Sequence, residues 1–229
     1  MNKSLILLSG ILWSATGILS SQTFIKPNYS LRSHPTLDIV KIEAGPEATV
    51  FSMSIGNRIA GGTFCADRNI YMMLPDGKKI LLTSASGIPV CPDSYKFKAP
   101  GEKLDFVLTF PPLKHGTSWI DLVENCSDNC FSFYGIALDN DLNKRIDDAF
   151  TLAENDQPAK ALISFINILS DKGDSCAGIK GLLYINIIRL EKETGNNTEA
   201  EEWYKKFKSS DTPRLSQYIT YLNDQGIRY

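Results

Sequence analysis

Between residues 36 and 139, hydrophobic positions alternate with polar ones, as they do in strands that bury one face. The segment 49–55 places Phe51, Met53 and Ile55 on a single face. The other segments with this strand pattern are 36–43, 69–74, 80–83, 104–110, 119–123 and 131–138. Seven or eight short strands, with no helical pattern between them, predict an antiparallel β-sandwich of Ig-like size.

Two of these segments carry more specific predictions. Strict alternation through 36–43 puts Ile39 on one face of the strand and Ile42 on the other. Pro75 and Gly77 stand between the segments 69–74 and 80–83, where proline presets φ and glycine supplies a positive φ. The sequence therefore predicts a β-hairpin around this turn.

From Asn140 onward the hydrophobic period becomes that of helices. Apolar residues recur at i, i+3, i+4 and i+7. The helices that this period predicts are 142–155, 158–169, 175–194, a fourth from 197 or 198, and a fifth from 213. Asp141 or Asn143 is expected to cap the first helix, and Thr198 with Glu201 has the spacing of a capping box.

The helical part also contains a weak internal sequence similarity. Ala161, Phe165 and Ile168 match residues 200, 204 and 207 at an offset of 39 residues, each set just after a polar turn. This resembles tetratricopeptide (TPR)-like repeats, in which helices pair through small and aromatic residues. The offset exceeds the usual length of about 34 residues, and the Trp-Leu-Gly-Tyr signature of a first helix is absent. The resemblance implies a TPR-like helical region.

The first twenty-one residues have the pattern of a secretory signal peptide. Lys3 precedes the apolar run 5–13, and small residues follow it. Since this run is shorter than the ~20 residues that a bilayer-spanning helix needs, cleavage between Gly17 and Gln22 is expected. A retained N-terminal anchor is the alternative. No later stretch is apolar enough to span a membrane, so no span is expected after cleavage.

These patterns divide the chain into four parts. They are a signal peptide (1–21), a leading segment (22–35), a β-sandwich domain (36–139) and an α-helical TPR-like domain (140–229). The expected fold class is therefore α+β by segregation, with the sandwich N-terminal and the helical hairpins C-terminal.

Composition and charge exclude two classes of protein. With 10% aromatic and 22% charged residues, the chain has the means to bury a core, which argues against intrinsic disorder. Its 24 basic residues face 26 acidic ones, a balance unlike that of proteins held on nucleic acids by bulk charge.

The second half of the predicted sandwich carries a recognisable motif. Segment 106–110 reads as an F-x-L-x-F strand, 119–124 as an aromatic-Asp-Leu strand ending in Glu, and 133–138 as a Phe-x-Gly-Ile-x-Leu strand. This resembles the secreted β-sandwich modules of Bacteroidetes-type envelope proteins, which are similar to telokin-like or Ig-like sandwiches. Asn125 stands where that pattern usually has glycine. The resemblance implies a fold and an exported location, and no catalytic residues.

Five cysteines are consistent with this location, because disulfides form in exported proteins. Cys126 and Cys130 lie in one loop between two predicted strands, and Cys65 and Cys91 flank the predicted hairpin. Each pair is a disulfide candidate. Cys176 is then left over, as a small hydrophobe buried on a helix face.

A catalytic or metal-binding role is the alternative to this structural interpretation of the cysteines, and the histidines and acidic residues are candidates for such a role as well. A catalytic dithiol usually has two intervening residues at a helix start, whereas Cys126 and Cys130 have three between strands. His34 and His115 have no partner at the spacing of zinc ligands. A calcium loop starting at Asp139 would have Lys144 and Phe150 where an EF-hand requires glycine and glutamate. Gly61 and Gly62 indicate a turn or an edge-strand bulge. No catalytic, metal or cofactor site is predicted.

Several aromatic side chains remain as candidate binding residues. Trp119, Tyr134, Trp203 and Tyr204 would suit a carbohydrate- or peptide-binding face, although their spacing equally suits core positions.

The function expected from all these features is non-catalytic. The chain is predicted to be exported to the periplasm or cell surface, where it binds a protein or peptide partner through the helical groove, the sandwich edge or both. The alternatives are a glycan-binding accessory module, which an exposed coplanar pair of Trp119 and Tyr134 would favour, and a thiol redox protein acting through Cys126 and Cys130.

Overall fold

The computed structural model describes residues 21–127 and 129–229, which form twelve strands followed by five α-helices. The predicted signal peptide lies, except for Ser21, outside the described residues. The strands are β1 (Gln22–Ile25), β2 (Leu31–Arg32), β3 (Leu37–Ala44), β4 (Thr49–Gly56), β5 (Thr63–Phe64), β6 (Ile70–Met73), β7 (Lys79–Leu81), β8 (Ser84–Ser86), β9 (Tyr95–Lys96), β10 (Lys103–Phe110), β11 (Trp119–Glu124) and β12 (Ser132–Ala137). The helices are α1 (Asn140–Glu154), α2 (Pro158–Lys172), α3 (Lys180–Glu193), α4 (Asn197–Lys208) and α5 (Leu215–Asp224), and a 3-10 turn (Ala177–Ile179) precedes α3.

Two five-stranded antiparallel sheets contain most of the strands. The first has the order β1-β3-β4-β10-β8, and the second has the order β2-β12-β11-β6-β7. β5 and β9 form a separate two-stranded sheet. The predicted α+β class with C-terminal helices is confirmed at this level, and the hairpin of β6 and β7 forms as expected.

One hydrophobic core takes side chains from both large sheets. Phe51 and Leu108 reach it from the first sheet, while Met72 and Leu122 reach it from the second. Every second residue of β4 is buried, so the alternation that predicted this strand is confirmed. The two sheets are therefore held together by burial of one face of each.

A β-bulge in β3 corrects one prediction. The register between β3 and β4 shifts between Ile39 and Lys41, so that Val40 is an additional residue in the strand. Ile39 and Ile42, predicted on opposite faces, are consequently both buried in the same core.

The sheets also begin earlier in the chain than residue 36. β1 pairs with β3, and β2 pairs with β12, so the leading segment 22–35 contributes a strand to each sheet. Both strands are short and lie at sheet edges, and neither has the alternation that makes a longer strand recognisable.

The helices follow the predicted sequence with local differences at the starts of α1, α3, α4 and α5. α1 is capped by Asp139, whose Oδ1 accepts the N–H of Leu142 at 3.0 Å, and the predicted caps Asp141 and Asn143 lie inside the helix. α3 begins at Lys180, because the residues before it form the 3-10 turn. α4 begins at Asn197, as predicted, without the capping-box bond. α5 begins at Leu215 and not at the predicted Pro213, since Arg214 has a left-handed backbone with φ +58°.

α3 lies at the centre of the helical part. It contributes side chains to a core with α1 and α2, and to a second core with α4 and α5. At Gly181 the Tyr218 ring packs so closely that an added Cβ would lie 2.2 Å from it. α3 is therefore buried at most of its positions.

Candidate functional site

The strands and helices meet at a closely packed junction of β11, β12 and the 3-10 turn. Gly135, at φ +64°, faces Gly178, and a Cβ added to Gly135 would lie 2.0 Å from the Gly178 carbonyl oxygen. A Cβ added to Gly178 would lie 2.6 Å from the Trp119 ring. Only glycine fits at these two positions, because any side chain would push the two parts of the molecule apart.

A buried ion pair crosses the same junction. Asp121 is 1% exposed, accepts the N–H of Gly135 at 2.8 Å, and is hydrogen-bonded by Arg214 from the segment that precedes α5. The Arg214 guanidinium lies 4.0 Å from the centre of the Tyr134 ring, a cation–π distance. Burial raises the pKa of Asp121, and the bonds from Gly135 and Arg214 only partly oppose this rise.

Hydroxyl groups continue the contact toward the helical core. Ser30 donates to the Gly178 carbonyl at 2.6 Å. Burial raises the pKa of Tyr218 to about 12, so its phenol remains protonated at neutral pH.

An amide pair joins the leading segment to α1. The Asn28 N–H donates to Asn143 Oδ1 at 2.7 Å, and the Asn143 side chain donates to the Ala137 carbonyl at 3.0 Å. Asn28 Nδ2 also donates to Asp147 at 2.9 Å. Hydrogen bonds at this place thus connect the leading segment, the end of β12 and α1.

Lys180 fixes the segment that leads to α5. Its ammonium group lies 2.7 Å from Asp211 and 2.9 Å from Asp174. Burial alone would lower the pKa of Lys180, but the bonds and charges of these two carboxylates outweigh it and raise the pKa. The cation remains charged and holds the chain just before Arg214 in place.

Two clefts lie where strands and helices meet. The first has a volume of about 620 Å³ and is termed the Arg214 cleft. One wall comes from the strand region and consists of Met73, Leu74, Pro75, Gly77, Ser118, Trp119 and Asp121. The other wall comes from the helical part and consists of Asp174, Ser175, Ala177, Pro213 and Arg214. The second, of about 590 Å³, is termed the Tyr29 cleft, and it is lined by Tyr29, Val40 and Lys103 on one side and by Phe150 and Leu182 of the helices on the other. Both volumes fall in the range of ligand-binding clefts.

The structure pairs the four predicted cysteines as disulfides, Cys65 with Cys91 and Cys126 with Cys130. A buried carboxylate lies beside both of them: Glu124 accepts the N–H of Asp67 at 2.8 Å and that of Phe131 at 3.1 Å. Burial raises the pKa of Glu124, an effect that these two bonds only partly oppose.

The leftover cysteine is buried, as predicted. Cys176 is 2% exposed, next to the 3-10 turn, and burial raises the pKa of its thiol to about 12. A thiol held protonated in this way is a poor nucleophile.

The candidate binding aromatics do not form a shared surface. Trp119 is 9% exposed and Tyr204 is buried, both as core side chains. Arg214 covers the Tyr134 ring, and the Lys206 ammonium lies 4.3 Å from the centre of the Trp203 ring. The exposed coplanar pair of Trp119 and Tyr134, which would favour a glycan-binding module, is not formed.

Neither histidine makes one of the junction contacts described above. His34 is half-buried, with its ring edge-on to Phe64 at 5.7 Å, and His115 is exposed. In the described residues no group of three or more His, Cys, Asp or Glu side chains is arranged to hold a metal ion. None of the described helices is both long and apolar enough to cross a bilayer.

Sequence reasoning missed most of the junction residues. Asp121 gave one signal, because it interrupts the apolar run of β11 at a position that turns out to be buried. Arg214 and Gly178 lie in short connections between helices, where no sequence pattern marks them. Their partners are distant in the sequence, and local patterns do not reveal such pairs.

Comparison with known proteins adds no assignment: no family model, no curated protein and no solved structure matches this chain.

Proposed function

We propose that this chain is an exported, non-catalytic binding protein of the cell envelope that holds a protein or peptide partner in the Arg214 cleft. In this proposal an Ig-like β-sandwich and a set of TPR-like helical hairpins act as one rigid body. The observation that carries it is the cleft itself, whose walls come from both parts and are fixed by the junction.

The proposed compartment and helical architecture have separate support. Two disulfides agree with an oxidising compartment outside the cytoplasm. Ala161 and Phe165 on α2 are buried, and so are Ala200 and Tyr204 at the matching positions of α4. Small and aromatic residues thus pack at equivalent helix contacts, as the TPR-like interpretation expects.

The burial of α3 favours the Arg214 cleft over a groove along the helices. In a TPR-like array, the partner would lie against the first helix of each hairpin, and α3 is that helix in the second hairpin. Its side chains are already covered by neighbouring helices. A partner has more accessible surface in the cleft, where Asp174, Ser175 and Pro75 are exposed or line an open wall.

The proposal is tested by filling the cleft. Ser175 is exposed, lines the cleft and bonds only the Lys172 carbonyl of its own turn, so Ser175→Trp adds bulk without disturbing the core. Ser170→Trp, at an exposed position of α2 that lines none of the clefts described, is the matched control. Both variants and the unmodified chain are used to capture proteins from envelope extract, which are identified by mass spectrometry.

The expected result is a partner that the unmodified chain and Ser170→Trp both retain and that Ser175→Trp loses. A partner captured equally by all three proteins would place the binding surface elsewhere. Failure of every protein to capture a partner would contradict the proposed function itself.

A further inference from the structure

A separate pocket lies at the other end of the strand region, between the loop 57–62 and the segment 34–36. Its volume is about 260 Å³, and it shares no lining residue with the Arg214 or Tyr29 clefts. Its lining includes His34 and Gly62. This space is termed the His34 pocket.

The loop that forms one wall is held rigidly. Asn57 is buried, and its side-chain amide donates to the carbonyls of Ile59 at 2.7 Å and Ala99 at 2.8 Å. Gly62 makes this possible, because a Cβ there would lie 2.2 Å from Asn57 Oδ1. The pocket is therefore preformed, which lowers the entropy lost when a ligand binds.

The interior of the pocket is apolar. Ile55 and Phe97 are buried beneath it, and Phe64 is half-buried beside them. Ile59, on the loop, is 66% exposed and lines the same space. An apolar ligand group would cover part of this exposed side chain, which gives a favourable contribution to binding.

The rim carries a cation without an acidic partner. Arg58 is exposed, and no carboxylate lies within ion-pair distance of it among the described residues. The nearby cation Arg32 is already paired with Asp38. An uncompensated guanidinium is the group that proteins commonly use to bind carboxylates.

His34 adds a neutral hydrogen-bonding group at the same place. Burial lowers its pKa, and the charges of Arg32 and Arg58 lower it further, so the ring is uncharged at neutral pH. Nδ1 lies 3.4 Å from the Thr36 hydroxyl, and Nε2 has no hydrogen-bond partner among the described residues. The rim thus offers one positive charge and a free ring nitrogen above an apolar floor.

We propose that the His34 pocket binds the C-terminal carboxylate of a peptide whose last side chain is apolar. The carboxylate pairs with Arg58, and the side chain lies against Ile59 and Phe64. Since the volume is below the 300 Å³ or so of sites for larger ligands, it suits one terminal residue better than a long acyl chain.

Peptide binding to the full chain is measured by fluorescence anisotropy. The probe is the N-terminally fluorescein-labelled peptide Gly-Ser-Gly-Ser-Leu with a free carboxyl group, and the same peptide with a C-terminal amide is the comparison. Loss of the charge-assisted bonds is expected to weaken binding by about tenfold or more. Equal binding of acid and amide would overturn the proposal, and so would the absence of binding by the acid at millimolar concentration.

Matched variants locate the binding. Arg58→Gln is expected to reduce affinity for the acid by about tenfold, since the paired charge is lost. Arg68→Gln, another exposed arginine outside the pocket, should leave it unchanged. Ile59→Asp should also weaken binding, whereas Ile163→Asp, at an exposed isoleucine of α2, should not. No effect of Arg58→Gln would overturn the assignment.

A competitor separates a peptide from a free organic acid. Octanoate presents a carboxylate on an aliphatic chain without a peptide backbone, and it is expected to displace the labelled peptide only weakly. Displacement by octanoate at the concentration at which unlabelled peptide acts would overturn the peptide assignment. Because Ser175 is not part of this pocket, Ser175→Trp should leave peptide affinity unchanged, so the two proposals fail independently.

Discussion

Burial makes the ionised form of Asp121 unfavourable, and Arg214 is the residue that offsets this effect. The carboxylate also accepts the N–H of Gly135, which leaves little of its hydrogen-bonding capacity unused. Because the pKa of Asp121 is nevertheless raised in the folded protein, its contribution to stability is present at acidic pH and is lost as the pH rises through that raised pKa. Removal of Arg214 should steepen this dependence.

We expect Arg214→Gln to lower the free energy of unfolding by about 1–3 kcal/mol at pH 8, where Asp121 is charged and unpaired. The loss should be smaller at pH 4, where protonation relieves the unpaired charge. Arg214→Lys keeps a positive charge and serves as the control, with an intermediate effect. Urea unfolding of each variant at both pH values measures the difference, and an equal loss at pH 4 and pH 8 would contradict the role assigned to the pair.

The two disulfides close chain segments of very different length. Cys65–Cys91 closes a segment that contains β6, β7 and β8, with a sequence separation of 26 residues. Cys126–Cys130, at a separation of 4, closes only the connection between β11 and β12, which Glu124 already bonds. A longer closed segment restricts the unfolded chain more, so the first disulfide should contribute more to stability.

Replacement of Cys65 and Cys91 together by serine is expected to lower the free energy of unfolding by about 3–4 kcal/mol, on the loop-entropy model. The same replacement of Cys126 and Cys130 should cost about 2 kcal/mol. Chemical denaturation of the two double variants gives the comparison. A larger loss from the second pair would contradict the loop-entropy comparison and would mean that this short connection stabilises the fold through contacts beyond its loop entropy.

Long, regular elements were predictable from the sequence because their signal is local. Alternation located β4 and β10, and helical spacing located α2 with its start at Pro158. The bulge in β3 was not predictable, since it depends on the register with β4. The disulfide pairs were predictable because one pair lies within a predicted loop and the other flanks a predicted hairpin. The ion pair of Asp121 and Arg214 was not, because its members belong to different parts of the fold.

At the scale of the whole molecule, the junction determines whether strands and helices behave as one unit. Gly135 and Gly178 allow the backbones to touch, and the bonds of Ser30 and Asn28 add polar contacts around them. Such contacts couple the two parts, so that neither loses its structure without affecting the other. A single cooperative unfolding transition is the expected consequence.

Gly178→Ala tests this coupling, because its Cβ would collide with the Trp119 ring. We expect a loss of about 1–3 kcal/mol and a broadening or splitting of the thermal transition as the two parts separate. Gly56→Ala, at a position with nothing within 4 Å of the added Cβ, should change stability by only about 0.5 kcal/mol. Calorimetry distinguishes the outcomes; a sharp single transition in Gly178→Ala at unchanged temperature would show that the junction is not the coupling element.

The bond from Ser30 to the Gly178 carbonyl also has a consequence for the order of folding. These two residues are 148 positions apart in the sequence, so their contact requires all the strands and the first two helices to be made first. Contacts between distant residues form slowly, since a long loop must close first. While the chain is being synthesised, Asp121 has no cationic partner until the segment with Arg214 has been made. Completion of the junction therefore waits until nearly the whole chain is present.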